Sequence, residues 1–197
     1  MNESKNAIRS DRTQTVLIEA ARDLFATDGY AATSTPCIVQ TANVSRGALY
    51  HHFVDKADLF RAVVSHEQAS VAIEIESASN TTADPVAAIR LGGEAFLNAM
   101  RDPGRRRILL IDGPAVLGAE EMRAIDTDHA GQTLVDGVRA ATAAGRIRTR
   151  SAEALADLLN AAFDRVALVV GDDTAHRVAL WELLDALTIG DRQDRSA

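Results

Sequence analysis

Cysteine is nearly missing from this chain. Cys37 stands alone among 197 residues, which excludes an internal disulfide framework and any zinc site built from several thiolates. Aromatic residues make up only 4%, few for a large pocket that sandwiches planar molecules between rings. No apolar run approaches the roughly 18 residues that crossing a bilayer demands. The opening MNESKNAIRSDRT is polar where a secretory leader is greasy. The expectation is a cytoplasmic protein with no membrane partner. Strand-like alternation, internal repeats, a glycine-rich phosphate loop, a nucleophile elbow and paired carboxylates are all missing, so no catalytic residue and no cofactor is expected. His129 near Asp126 and Asp128, and His66 beside Glu67, lack a third partner at ligand spacing. No metal site is therefore expected.

What is present fits an ordinary globular protein, 47% apolar and 25% charged. The net charge of −7 argues at first against a polyanionic partner. Its distribution weakens the objection. Over residues 1–60 six cations face seven acids, so that end is nearly neutral and the excess acid lies beyond it. A local basic face can operate on an acidic body if the acids point elsewhere.

From about Thr13 to Thr27, Val16, Leu17, Ala20, Ala21, Leu24 and Phe25 recur at helical spacing, and Gly29 supplies a left-handed stop. Thr35 before Pro36 predicts a cap and a short helix from Pro36 to about Ala42. Asn43 suits a turn. Val44 and Ser45 predict a staple and cap for a third helix, Arg46 to His52. Asp55, with Asp58 three residues on, opens a fourth helix whose inner face is Leu59, Phe60, Val63, Val64, Val71 and Ile75. Three helices with a tight turn between the second and third make a helix-turn-helix. Further helices are expected near 84–101, 103–111, 119–144, 152–170 and 174–188, about nine in all. The expected fold is all-α: a helix-turn-helix domain at 1–55, a connecting helix at 56–80, and a larger helical ligand-binding and dimerisation domain at 81–197.

The third helix carries the chemistry. A helix entering a DNA major groove needs small leading residues and a few long polar ones to reach base edges. Ser45, Gly47 and Ala48 meet the first demand and Arg46 the second. Tyr50 and His51 offer polar groups to the sugar-phosphate side, while Leu49 and Phe53 anchor the helix to the core. Lys56, Thr33 and Thr35 are expected as flanking phosphate contacts.

The segment from Thr13 to about Val64 resembles the DNA-binding domain of the TetR family of bacterial transcriptional regulators. The matching stretches are VLIEAARDLFATDGYAATS and NVSRGALYHHFVDKADLF. The second helix, in TPCIVQTANV, departs from the usual pattern, with Asn43 where the family has a turn glycine. The resemblance implies a homodimer on palindromic double-stranded operator DNA, and a C-terminal domain whose small-molecule effector releases it, most simply as a repressor. Two alternatives stand beside it: an activator with the same fold, or a helical binding dimer whose DNA-binding head is vestigial.

Residues 152–170 and 175–187 are more apolar than one core requires. Leu155, Leu159, Phe163, Val166 and Val170 form one stripe, and Val178, Trp181, Leu184 and Leu187 another; a four-helix dimer interface is expected there. Candidate effector-pocket residues are Phe96, Met100, Leu109, Leu110, Val116, Met122, His129, Thr133 and Phe163. Cys37, on the inner side of a short helix, is expected to be packed rather than redox-active.

Overall fold

The computed structural model describes residues 2–127 and 129–189, with side chains from Ser10 onward except at Thr127 and Ala130; Asp128 lies outside the described residues. The described chain is all helical: α1 (Asn2–Asp28), α2 (Thr35–Thr41), α3 (Arg46–His52), α4 (Lys56–Ser79), α5 (Pro85–Ala99), α6 (Pro103–Arg106), a π-helical segment (Arg107–Asp112), α7 (Gly113–Leu117), α8 (Ala119–Thr127), α9 (Ala130–Ala143), α10 (Ala152–Ala167) and α11 (Thr174–Leu187). Among the described residues the nearest approach to a strand is an isolated bridge between Ile147 and Thr188. No described helix is long and apolar enough to cross a membrane.

The helix count exceeds the expected nine because two predicted helices are broken and a further short one, α7, forms between them where none was predicted. The 103–111 stretch is α6 running into the π-helical segment, and the 119–144 stretch is α8 and α9, with His129 at a non-helical φ of −130° and ψ of −107°. Helix α1 begins earlier than predicted, since NESKNAIRSDR contains no proline or glycine to interrupt it.

The chain divides into two compact units. One contains residues 1–67 and 103–125, the other 68–102 and 126–197. A linear boundary near residue 80 is therefore not what the structure has. The division falls inside α4, and residues 103–125 return to the first unit.

In that first unit, Leu17, Ala21 and Phe25 of α1, Ile38 of α2, Leu49 of α3 and Leu59, Phe60 and Val63 of α4 are buried. Phe25 meets Phe60 edge-on at 5.1 Å, and Tyr30 lies 4.9 Å from Phe60, a geometry aromatic quadrupoles favour. Buried Glu67 accepts from Arg22 Nε at 2.9 Å and from Arg105 Nε at 2.7 Å. Arg107 donates to the carbonyls of Thr27 and Asp28, the cationic partner that a helix C-terminus prefers. Asp112 accepts the Tyr30 N–H at 2.9 Å. Gly29 has φ +87°, the left-handed backbone that favours glycine, and lies directly against the Arg107 guanidinium.

The second unit packs α5, α9, α10 and α11 around Ile89, Leu97, Val138, Ala141, Ile147, Leu159, Phe163, Val166, Leu180 and Leu184. Gly93 lets the α5 backbone lie against Phe163, where a Cβ would meet the ring at 2.4 Å.

Removing one member of a buried ion pair strands the others, typically at about 3–5 kcal/mol. Glu67→Ala is expected to lower the stability of the first unit by about 3 kcal/mol in urea unfolding. An unchanged midpoint would show that Arg22 and Arg105 hold the unit without their shared carboxylate.

Candidate functional site

Helices α2 and α3 are short, and their side-chain caps set where each begins. Ser45 accepts from the Ala48 N–H at 3.1 Å, as its sequence predicts. For α2 the cap is Ser34, accepting from the Cys37 N–H, rather than Thr35, which is the first helical residue. Asn43 takes φ +52° between them, the left-handed turn its short amide tolerates. Asp55 accepts from the Asp58 N–H, and Asp58 accepts from the Val54 N–H, a reciprocal cap at the head of α4.

Leu49 and Phe53 are buried, which turns Ser45, Arg46, Gly47, Tyr50 and His51 to the exposed side of α3; Ala48 is half-buried. The Arg46 guanidinium lies 5.4 Å from the Tyr50 ring centre. Hydrogen bonds from Thr35 and then from Arg46 hold the Tyr50 phenol below its ordinary range. Thr35, Arg46 and Tyr50 thus form one polar cluster across α2 and α3. A Cβ on Gly47 would approach only Ser45 Oγ, at 3.9 Å, so the protein's own packing does not require glycine there.

Two expected phosphate contacts are engaged elsewhere. Thr33 is buried, its hydroxyl donating to the Gly29 carbonyl at 2.8 Å, because the chain leaving α1 has a carbonyl to satisfy there. Lys56 donates to the carbonyls of Tyr30 and Thr33, each at 2.9 Å, and its ammonium sits 4.0 Å from the Tyr30 ring centre. Both side chains hold the α1 exit together. Cys37 is half-buried.

The second unit contains a cavity of about 570 Å³, counting its open mouth. Ile75, Ile89, Phe96, Leu134 and Phe163 supply apolar walls; Ser79, Asp126, Thr133 and Asn160 supply polar atoms. Of the predicted pocket residues, Phe96, Thr133 and Phe163 are brought together here. Met100 is buried but not in the lining, and His129 adjoins Asp126 through its backbone N–H without lining the space. Leu109, Leu110, Val116 and Met122 belong to the first unit, because residues 103–125 fold there. The residues missed include the walls Ile75, Ile89 and Leu134 and the polar pair of Asp126 and Asn160, in which Asn160 Nδ2 donates to Asp126 at 3.0 Å. The available signal was Asn160 and Asp164, one helical turn apart on a helix whose neighbouring Leu159 and Phe163 are core.

Burial pushes the Asp126 carboxyl up to about 6, against the Asn160 hydrogen bond and the nearby His129. Burial, and then the charge of Asp126, push Asp164 up to about 7.

The predicted interface stripe is also corrected. Leu159, Phe163, Val166 and Leu184 are buried in the unit's own core, and Leu155, Trp181 and Leu187 pack against it. The α10 stripe faces inward to α5 and α9, so it is not available to a partner. The exposed apolar side chains of α10 and α11 are Leu158 at 68%, Val178 at 51% and Leu183 at 47%, with Val170 exposed beyond α10.

A capped helix-turn-helix whose third helix turns a polar face outward is the architecture of a DNA-binding head. The profile described as "Bacterial regulatory proteins, tetR family" matches residues 17–63, and that described as "Tetracyclin repressor-like, C-terminal domain" matches residues 86–189. The chain belongs to the TetR family. It is similar to the HTH-type transcriptional regulator AcrR of Shigella flexneri, 30% identical over 54% of this chain and 50% of that one. It is also similar to the HTH-type transcriptional repressor AcnR of Corynebacterium diphtheriae, 40% identical over 34% of this chain and 35% of that one. The chain spans about half the length, or less, of these curated relatives. A TetR-family regulator from Pectobacterium atrosepticum superimposes with a TM-score of 0.77 at 28% identity, covering 93% of this chain and 97% of that one. Both named relatives are described as transcriptional regulators.

An acid whose folded pKa is raised holds its proton more tightly in the folded state. Its contribution to stability is therefore fully present at low pH and lost as pH rises from about 3.8 to about 7. Asp164→Asn removes that loss. Its expected effect is a melting temperature raised by a few degrees at pH 8 and by much less at pH 4.5, followed by circular dichroism. An equal change at both values would contradict the burial of this carboxyl.

Proposed function

We propose that the chain is a repressor that binds a palindromic operator as a homodimer and is released when a small organic effector enters the cavity of the second unit. The observation carrying this reading is the outer face of α3. Ser45, Arg46, Gly47, Tyr50 and His51 are all exposed there, on a helix anchored from behind by Leu49 and Phe53.

Arg46 is the only Lys or Arg between Tyr30 and Asp55, and it makes the base contact: a bidentate pair with guanine is worth about 1–3 kcal/mol of discrimination. Thr35, Tyr50 and His51 contact the backbone and set register, and Ser45 and Ala48 leave room at the leading end of the helix. Gly47 gives the duplex its closest approach, since nothing inside the protein explains its missing side chain. Two copies of α3 enter successive major grooves, about 34–36 Å apart.

Dimerisation uses the outer faces of α10 and α11. Leu158, Val178 and Leu183, set among exposed Ala154, Ala161, Ala175, Ala179 and Ala186, form a face on which two copies pack as a four-helix arrangement. The name of the AcnR relative supports repression. The cavity's apolar walls and few convergent polar groups are what a small organic ligand needs. The effector favours a conformation whose two heads no longer match the operator spacing.

Arg46→Ala is expected to abolish the preference for the duplex upstream of the regulated genes over a random duplex in gel retardation, with dimer and melting temperature unchanged. Retained preference would take the base contact away from Arg46, whereas a native chain with no preference would point to a vestigial head. Gly47→Ala separates fold from recognition more sharply. It should stabilise the free protein by about 0.5–1 kcal/mol, the helical advantage of alanine, yet weaken specific binding. For the interface, Leu158→Glu with Leu183→Glu should shift sedimentation from dimer to monomer. A dimer that persists would place the interface elsewhere.

A further inference from the structure

The chemistry of the cavity narrows the class of effector. Among the described lining residues Asp126 is the only ionisable one, and no Lys or Arg faces the space. An organic anion entering here would meet a carboxylate and no cation among the lining residues to offset the repulsion. A neutral ligand brings no countercharge to the Asp126 carboxylate.

We propose that the cavity takes an organic cation, an amine whose ammonium group lies against Asp126 while its hydrocarbon or ring portion fills the space between Ile75, Ile89, Phe96 and Phe163. The inference rests on the reading of this cavity as the effector site and names the ligand class. Asn160 donates Nδ2–H to Asp126 Oδ2 and so fixes the carboxyl, leaving the second oxygen to receive an N–H from the ligand. Asp126 also lies over the first turn of α9: a Cβ on Gly131 would meet its Oδ2 at 2.5 Å. The carboxylate is therefore held from α8, α9 and α10 at once and cannot swing away to solvent. Phe96 and Phe163 add ring electrons, which attract a cation at short range. Asp164, one turn beyond Asn160 on α10, is raised by the charge of Asp126, and a bound ammonium offsets that charge.

The test uses the full chain and three ligands of one shape and different charge: phenylpropylamine, phenylpropanol and phenylpropionate. Binding is read by calorimetry at pH 7.5, and release by retardation of the upstream duplex. The amine should bind at least about tenfold more tightly than the alcohol, with the carboxylate weakest. Asp126→Asn keeps an oxygen for Asn160 and should erase that preference without lowering the melting temperature. Thr133→Phe, which fills the lining, should block all three. Amine binding no tighter than that of the alcohol, or a preference that survives Asp126→Asn, overturns the assignment of a cation. If the amine still binds Thr133→Phe, or binds the native chain without releasing DNA, the reading of the cavity as the effector site fails instead.

Discussion

Glu67 sits buried between the guanidinium groups of Arg22 and Arg105, and a carboxylate in that position must keep its partners, because bare charge in a protein interior is far costlier than charge in water. The pairing ties α6 to α1 and α4. Arg107 and Asp112 extend the tie, one gripping the last carbonyls of α1 and the other the Tyr30 N–H beyond it. Residues 103–125 are thereby part of the DNA-binding unit although they are distant from it in sequence. The π-helical turn at Arg107–Asp112 is the local adjustment that accompanies these contacts; such turns recur at functional positions in helical proteins.

This arrangement gives the proposed release mechanism a short covalent path. Helix α5 contributes Ile89 and Phe96 to the cavity and ends at Ala99, and α6, fastened to the head, begins at Pro103. Only Met100, Arg101 and Asp102 lie between.

The DNA-reading face is sparing in charge. With a single guanidinium between Tyr30 and Asp55 and a net charge of −7, the chain has little with which to hold arbitrary duplex by counterion release. In the proposed reading, recognition then depends on geometry: the Arg46–Tyr50–Thr35 cluster, the small leading residues of α3, and the pairing of two heads. Lys56 illustrates the economy. A lysine at the start of α4 reads as a phosphate contact, yet its ammonium closes the α1 exit by bonding two carbonyls and covering a ring.

Much of the local structure is legible in the chain itself. The bounds of α3 follow from Ser45 and Phe53, those of α4 from Asp55 and Asp58, and the turn from Asn43, because capping and left-handed backbone are decided by side chains within four residues. The outward face of α3 follows too, since Leu49 and Phe53 fix which side is buried. What depends on partners far along the chain is not legible. Leu159, Phe163 and Val166 have the same helical period whether they meet α5 and α9 or a second copy, and only the packed structure chooses the former. Hydropathy likewise gives no sign that residues 103–125 fold with the head, or that Asp126 meets Asn160 beside an apolar cavity. Short-range hydrogen bonding wrote the helices into the sequence; long-range packing and the burial of charge decided which of their faces became core, surface or site.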